Sequence, residues 1–293
     1  MENTNKPKVK QSQWVEIWRR FRKNGAATVG LAVIALLVFT AIFADAIAPY
    51  DPIAQDLRNT LASPNSQHIM GTDNFGRDIF SRIVFGTRTS LQVGFTAVAA
   101  GLIVGLVLGC LAGFYGGKLD NALMRFIDIL ISIPYILLAI AIVAALRDSP
   151  IPALIKVMIA IGLASIPGYT RITRAAVLTI REREFVEAAR AIGGNDFRII
   201  TRHILPNCLA PIIVQATLGL SGAILSAAGL SFIGLGIQPP TPEWGFMLSE
   251  GRNYIQGYSY MVLFPGLAIV IVVLAINMVG DGLRDAFDPK LKK

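Results

Sequence analysis

Six long stretches of this 293-residue chain contain no Asp, Glu, Lys or Arg, and they limit what the chain can fold into more than any other feature. A helix needs about 20 apolar residues to cross about 30 Å of hydrocarbon. Charged residues make up only 16% of the chain, against about 25% in a typical soluble domain. We therefore predict an all-α polytopic membrane protein with six transmembrane helices. The uncharged stretches cover 26–44, 89–117, 129–146, 157–170, 203–242 and 253–280.

Two of these stretches do not match the length of one straight span. Residues 157–170 are too few for a span. The helix can reach back to Ser149 if Lys156 either extends its amine towards the membrane surface or faces protein, and Pro167 lies near the end of the run. Residues 203–242 are too many, and the proline-rich segment 238–242 predicts a loop at their end.

The basic residues are distributed unevenly between the two sides that six spans create. The side that holds the N-terminus receives 20 of the 27 Lys and Arg residues, and the other side receives seven. Basic residues mark the cytoplasmic side of membrane proteins. Both termini are therefore predicted to be cytoplasmic, in a multi-pass protein of the cell membrane. This topology explains the net charge of +8 without nucleic acid as a partner. The first stretch is longer than the apolar part of a typical signal peptide, so we expect it to remain a span.

A short amphipathic helix is predicted before the first span. Trp14, Trp18 and Phe21 recur at helical spacing among arginines, as in a helix that lies on the inner membrane surface. We favour an anchoring role for this helix over a regulatory one.

Three residues of the external segment 45–89 have side-chain oxygen atoms of the kind that bind calcium and lie close together in sequence: Asp73, Asn74 and Asp78. They lack the ligand spacing of a helix-loop-helix calcium site. We therefore expect them to cap helices and close turns.

Glycine recurs at every fourth position of the second span, at Gly101, Gly105, Gly109, Gly113 and Gly117. One face of this helix therefore lacks side chains, which lets another helix approach closely in lipid. The approaching helix belongs either to another subunit or to this chain's own bundle, and we favour the bundle.

The segment 171–206, between the fourth and fifth spans, is too long and too patterned for a simple connector. Its residues predict two short helices. The first, 181–192, ends at Gly193 and Gly194, which tolerate positive φ; the second begins after a cap at Asn195 and ends at Pro206.

The first of these helices is predicted to offer a contact surface to another protein. The small side chains of Ala188 and Ala189 let another protein approach this surface closely. Glu187, Arg190 and Arg198 are placed to form ion pairs at the rim of the surface.

The same segment resembles a known motif. Glu187-Ala188-Ala189 is followed after three residues by Gly193, and after a further 11 residues by Leu205-Pro206. This pattern resembles the EAA loop of the membrane subunits of ABC importers, whose helix docks into a groove on the ATPase; His203 stands where the pattern usually has an aliphatic residue. The residues to which the resemblance assigns ATPase coupling are Glu187, Ala188, Ala189, Arg190, Gly193, Phe197, Leu205 and Pro206.

The resemblance extends over nearly the whole chain, from about Trp18 to Lys290. Over this length the chain is similar to the C-type permease subunit of the dipeptide, oligopeptide and nickel transporters. The motifs that carry this similarity are 71–73 (GTD), 76–78 (GRD), 81–82 (SR), 239–245 (PPTPEWG), 280–286 (GDGLRDA) and 288–290 (DPK).

The resemblance implies a type I importer that works by alternating access. The chain would pair with a homologous second permease subunit, two cytoplasmic ABC ATPases would bind ATP and Mg, and an extracytoplasmic binding protein would deliver the substrate. No cofactor is then expected in this chain itself. Residues 1–87 would form an N-terminal extension, 88–280 the permease core and 281–293 a cytoplasmic tail.

The resemblance names the substrate only by class: dipeptides, oligopeptides, glutathione-like peptides or nickel complexes. Ser221, Gly222 and Ser226 of the fifth span would leave room for a peptide and supply hydroxyl groups, although small residues also serve helix packing.

The segment 238–245 is a candidate for contact with the binding protein. Its prolines fix φ, and Pro240, Glu243 and Trp244 would form a stiff surface. Anchoring of Trp244 at the membrane interface is an equally good interpretation.

Other functional classes are less well supported. The two histidines, His68 and His203, fall in no metal-binding or nucleophile motif, which disfavours an enzyme. Gly117-Lys118 lacks the other residues of a phosphate loop, so the chain should not bind ATP itself. A carrier driven by an ion gradient usually has an acidic residue near the bilayer midplane, and the predicted spans contain none.

Overall fold

The computed structural model describes residues 13–288, with side chains from residue 15 onward. Within these residues the chain is helical, with a single isolated β-bridge between Thr72 and Asp78. Five helices are long and apolar enough to cross a membrane, and a bent pair of shorter helices passes the same test when taken together. The predicted all-α multi-span fold is therefore confirmed. The Trp14 side chain and residues 289–293 lie outside the described part of the chain.

The long helices are joined by shorter ones, and all are numbered in chain order. They are α1 (Gln13–Phe21), α2 (Gly25–Ile42), α3 (Ala44–Ile47), α4 (Ile79–Tyr115), α5 (Gly117–Ser132), α6 (Tyr135–Ala145), α7 (Ala153–Arg181), α8 (Glu184–Ala191), α9 (Asp196–Ile199), α10 (Leu205–Phe232), α11 (Trp244–Gly251) and α12 (Tyr260–Phe287).

The predicted third span, 129–146, is not one straight helix. It is divided between α5 and α6, which meet at an angle of 91°. Pro134 lacks a backbone N–H, and a residue that precedes proline favours an extended backbone; Ile133 accordingly has φ −91° and ψ 126°. Eleven residues of α6 rise only about 16 Å, so this helix alone is too short to cross the hydrocarbon.

The second and fourth spans are longer than the uncharged runs that predicted them. Asp78 caps α4 by accepting a hydrogen bond from the Ser81 N–H, and the helix then runs without a break across the predicted domain boundary at 87/88. Helix α7 begins after Pro152, where the Lys156 amine donates to the Arg147 carbonyl over 2.7 Å, and it continues past Pro167 to Arg181.

Pro206 does not end a helix, contrary to the prediction. Residues Ile200–Ile204 form a π-helical turn, and Leu205 donates its N–H to the carbonyl of Ile200, five residues earlier. This wider turn accommodates the missing N–H of Pro206, which lies in the first turn of α10. The chain is therefore helical from Asp196 to Phe232.

The centre of the bundle is the close contact between α4 and α7. A Cβ atom on Gly105 would lie 2.5 Å from the Tyr169 Cβ, and one on Gly109 would lie 2.7 Å from the Thr170 carbonyl oxygen. Gly101 and Gly113 face the same helix, so the glycine face packs within this chain's own bundle. Gly117 does not belong to it, because α4 ends at Tyr115 and Gly117 begins α5 with φ +58°.

The N-terminal helices pack on α12. Phe21 of α1 is buried beside Gly282, whereas Trp18 remains half-exposed. Helix α2 has only Ala27 and Gly30 buried, and a Cβ atom on Gly30 would lie 2.6 Å from the Ala275 carbonyl oxygen. Most of the α2 surface is therefore apolar and uncovered within this chain, as expected of a helix at the lipid-facing edge of a bundle.

Candidate functional site

Helix α8, which carries the Glu-Ala-Ala sequence, packs one face onto the bundle. Val186 and Ala189, three residues apart, are 0% and 5% exposed, and they lie in an apolar cluster with Phe114, Ile199 and Ile204. The prediction that Ala189 forms a contact surface for another protein is therefore wrong. The side chain of Ala189 is covered by this chain's own core.

The opposite face of α8 is open. Ala188 is exposed, and large apolar side chains flank it: Phe185 is 42% exposed and Ile192 87% exposed. Phe197 of α9 is 77% exposed on the same segment. An uncovered apolar surface of this kind, outside the apolar spans, is a candidate contact site. Phe185 and Ile192 were not among the predicted residues, although their spacing relative to the buried Val186 and Ala189 could have indicated them.

The charged rim of α8 differs from the prediction. Within the described residues, no ion pair joins Glu187 to Arg190 or Arg198. The Arg190 guanidinium instead lies 5.2 Å from the centre of the Phe114 ring, a cation–π geometry. Glu187 and Arg190 line a polar cavity together with Arg181 and Asp196.

The turn between α8 and α9 follows the sequence closely. Gly193 has φ +84°, a conformation that favours glycine, and Gly194 donates its N–H to the Ala189 carbonyl over 3.0 Å. The Asn195 side chain accepts a hydrogen bond from the Arg198 N–H over 2.8 Å, so the predicted cap is confirmed. Leu205 is half-buried and Pro206 exposed at the start of α10.

A cavity of about 380 Å³ lies between α6, α7 and α10. Gly222 and Ser226, two of the three residues predicted for a substrate path, line it. Ser221 does not, because its side chain is buried on another side of α10 and its hydroxyl lies 2.7 Å from the Asn277 Oδ1 of α12. The structure therefore separates Ser221 from the other two residues.

The predicted external contact residues divide in a similar way. Pro240 is exposed, but Trp244 is fully buried, and its indole N–H donates to the Ile83 carbonyl over 3.1 Å. Trp244 packs against Gly86, where a Cβ atom would lie 2.8 Å from the ring. Trp244 therefore neither presents a contact surface nor anchors at the membrane interface, contrary to both interpretations.

Glu243 is buried next to Trp244 and caps α11. Its two carboxylate oxygens accept hydrogen bonds from the N–H groups of Gly245 and Phe246 over 2.9 and 2.8 Å. Burial raises the pKa of the Glu243 carboxyl, and these hydrogen bonds oppose the rise.

A buried ionic network holds the external segment to α11. The Arg77 guanidinium lies 2.6 Å from Asp73 and 2.8 Å from Glu250, and Arg82 lies 3.4 Å from the same Glu250. All four side chains are at most 14% exposed. Asp73 also accepts hydrogen bonds from two backbone N–H groups of its turn. Asp73 and Asp78 therefore serve a turn and a cap, as predicted, and among the described residues no group of His, Cys, Asp or Glu is placed to hold a metal ion.

The comparisons with known proteins agree with this arrangement. Residues 105–293 match the family of binding-protein-dependent transport system inner membrane components, and residues 12–64 match the N-terminal TM domain of oligopeptide transport permease C. The dipeptide transport system permease protein DppC of Alkalihalophilus pseudofirmus is 51% identical over 281 residues, which cover 96% of this chain and 91% of that protein. The glutathione transport system permease protein GsiD of Escherichia coli O6 is 46% identical over 288 residues, which cover 98% of this chain and 94% of that protein.

A solved structure supports the fold independently. The MetNI methionine ABC transporter, in an inward-facing conformation, contains a chain that matches with a TM-score of 0.59 at 22% identity, over 71% of this chain and 97% of that one. The long apolar helices and these similarities lead to one conclusion. The chain belongs to the family of inner membrane components of binding-protein-dependent transport systems, as a multi-pass permease subunit of an ABC importer.

Proposed function

We propose that this permease moves dipeptides and short oligopeptides that an extracytoplasmic binding protein delivers. The observation that carries the proposal is the 51% identity to a dipeptide permease along 96% of the chain. The match of residues 12–64 to the N-terminal domain of an oligopeptide permease supports the same substrate class.

The resemblance to type I importers supports the choice of partners. The uncovered apolar face of α8 and α9 is the surface for a cytoplasmic ATPase. Two such ATPases bind ATP and Mg, and the lack of a phosphate loop in this chain is consistent with that division of roles. A homologous second permease completes the path. The chain itself is then neither an ATPase nor the holder of a cofactor.

The continuous helix from Asp196 to Phe232 provides a route for coupling. A movement of the ATPases pulls or pushes on α8 and α9, and the π-turn carries it into α10 without an intervening loop. Because α10 lines the cavity through Gly222 and Ser226, the same movement changes the shape of the cavity. This is the physical requirement for alternating access.

Glutathione is a second candidate substrate, favoured by the 46% identity to a glutathione permease over 98% of the chain. Glutathione is itself a tripeptide, so both substrates fit the same class. The preference between them is set largely by the binding protein, which selects the substrate before it reaches this chain.

Uptake by the complete transporter in proteoliposomes tests the proposal. Two permeases, two ATPases and the loaded binding protein should take up labelled dipeptide when ATP is supplied, and omission of the ATPases should abolish uptake. Peptide uptake driven by a proton or sodium gradient without ATPases would contradict the proposal in favour of an ion-coupled carrier. Uptake of glutathione but of no dipeptide would select the second candidate.

A further inference from the structure

The cavity between α6, α7 and α10 combines apolar walls with a few uncharged polar groups. Its polar lining includes Tyr135, Tyr169, Gln215 and Ser226, and none of the described residues that line it is charged. A volume of about 380 Å³ falls in the range of about 300–1,000 Å³ that is usual for small-molecule sites. The cavity is therefore large enough to hold part of a short peptide.

Tyr169 points to a ligand in this cavity. Its side chain is only 4% exposed, yet its hydroxyl has no hydrogen-bonding partner among the residues that the structure describes. The hydroxyl lies beside Gly219, where a Cβ atom would be 2.2 Å from it. The space at Gly219 is thus what allows the tyrosine to lie across the cavity, with its hydroxyl at the cavity surface, where a ligand can donate or accept a hydrogen bond.

Gly222 leaves the cavity open. It lies one helical turn after Gly219 and one turn before Ser226, on the face of α10 that lines the cavity. A Cβ atom on Gly222 would meet, within 4 Å, no atom of the described residues outside its own stretch of helix. A larger side chain at this position would therefore occupy the cavity without disturbing the packing of the helices.

We propose that this cavity is the peptide-contact site of this subunit, in which Tyr169 and Gln215 hydrogen-bond to the peptide backbone and Gly222 limits the size of the peptide. The inference rests on the proposed function. Backbone N–H and C=O groups occur in every peptide, and uncharged phenol and amide groups match them. Because the cavity lining, over the part of the chain that the structure describes, carries no charged residue, the site discriminates peptides by size and not by the charge of their side chains.

A series of substitutions at Gly222 tests the size limit, with Gly229 as the matched control. Gly229 lies on the same helix and does not line the cavity. Its Cβ position is likewise free, within 4 Å, of described atoms from beyond its own stretch of helix. In proteoliposomes with the complete transporter, Gly222→Leu should reduce uptake of a peptide with bulky side chains about tenfold relative to Ala-Ala. Gly222→Ala should have an intermediate effect, and Gly229→Leu should leave the ratio unchanged.

A second variant tests the hydrogen bonds. Tyr169→Phe keeps the ring and removes the hydroxyl, so uptake of Ala-Ala, Ala-Asp and Ala-Lys should fall by the same factor of about three to ten. Stimulation of ATP hydrolysis by the loaded binding protein is measured in parallel, so that loss of assembly is recognised.

The outcomes separate the inference from the function on which it rests. A wild-type transporter that takes up no peptide overturns the proposed function. Wild-type uptake combined with equal effects of the Gly222 and Gly229 series overturns the size limit. A Tyr169→Phe loss confined to one charge class of peptide overturns the backbone contact.

Discussion

Glu243 illustrates how a single side chain can serve structure where the sequence suggests a surface. Its carboxyl group is buried and caps α11, so its charge is held in apolar surroundings by two backbone N–H groups. Burial raises its pKa above the usual 4.5. In the folded protein it therefore binds a proton at a pH where the unfolded chain has already lost it, and the folded state loses stability as pH rises through that window.

Replacement of Glu243 by Gln should remove this pH dependence. The unfolding temperature of Glu243→Gln minus that of the wild type should increase as pH rises from the carboxyl pKa of the unfolded chain through the raised pKa of the folded protein. Above that pH the difference should level off. Asp56 is a control of opposite sign, because hydrogen bonds from Arg58 and Asn59 lower the pKa of its carboxyl. Thermal unfolding in detergent across pH 2 to 8 measures both, because the Asp56 effect lies below its ordinary pKa of 3.8 and the Glu243 effect above 4.5. A flat difference for Glu243→Gln would show that its burial has no effect on protonation.

At the scale of elements, helix faces decide which residues are structural and which remain available. Helix α8 turns Val186 and Ala189 inwards and Ala188 outwards, although the two alanines are adjacent in the Glu-Ala-Ala sequence. Helix α4 turns Gly101, Gly105, Gly109 and Gly113 towards α7, whereas a Cβ atom on Gly229 of α10 would meet no described atom outside its own stretch of helix within 4 Å. In both cases the consequence of a substitution depends on the helix that covers the residue.

The two adjacent alanines of α8 should respond differently to arginine. Ala189→Arg places a long charged side chain in a packed core. Overpacking usually costs about 1–3 kcal/mol, and the buried charge should raise the loss of stability above that range. Ala188→Arg should change stability by less than about 0.5 kcal/mol but weaken ATPase binding at least tenfold. Unfolding midpoints and co-purification with the ATPases measure the two effects. Normal ATPase binding by a stable Ala188→Arg variant would show that this face is not the docking surface.

The glycine face of α4 should not tolerate even a methyl group. A Cβ on Gly109 would lie 2.6 Å from the Thr173 Cβ and 2.7 Å from a backbone oxygen of α7, so Gly109→Ala should destabilise the protein by about 1–3 kcal/mol. Gly229→Ala, in open space on α10, should stabilise it by about 0.4–1 kcal/mol. Unfolding in mixed micelles gives both values, and equal effects would mean that α4 and α7 do not approach as closely as described.

At the scale of the whole molecule, the buried ionic network joins parts of the chain that are far apart in sequence. Arg77 and Arg82 lie at the start of the permease helices, and Glu250 lies on α11, more than 160 residues later. Helix α11 in turn packs closely on α10. A Cβ on Gly245 would lie only 2.3 Å from the Ala228 carbonyl oxygen, so no side chain fits between the two helices there. The external segment and the helix that lines the cavity are thus held together through α11.

A double-mutant cycle should reveal this connection. Removal of one member leaves the buried network of two arginines and two carboxylates with one uncompensated charge, so Arg82→Met and Glu250→Gln should each cost up to about 3–5 kcal/mol. The double variant should cost less than the sum by about 1–3 kcal/mol. Asp45→Asn, which breaks the exposed pair with Arg88, is the control and should cost about 0–1 kcal/mol. Additive effects in the cycle would show that Arg82 and Glu250 do not act as a pair.

The sequence by itself determined the membrane fold and its local signals. Spans follow from apolar composition, because a chain in lipid has to satisfy its backbone hydrogen bonds within each segment, and helices do so locally. Caps and turns are equally local, as Asp78, Gly193 and Asn195 show. The substrate class came from resemblance and from relatives, since no local pattern specifies a peptide.

Only the tertiary structure decided how the helices bend and which of their faces are covered. Three prolines with the same intrinsic chemistry have three different outcomes. A 91° bend occurs at Pro134, the helix continues unbroken through Pro167, and a π-helical turn precedes Pro206. Trp244 became a core residue because Gly86, distant in sequence, makes room for its ring. Side-chain contacts between helices depend on the complementary shapes of residues that lie far apart along the chain. A local sequence pattern does not contain this information.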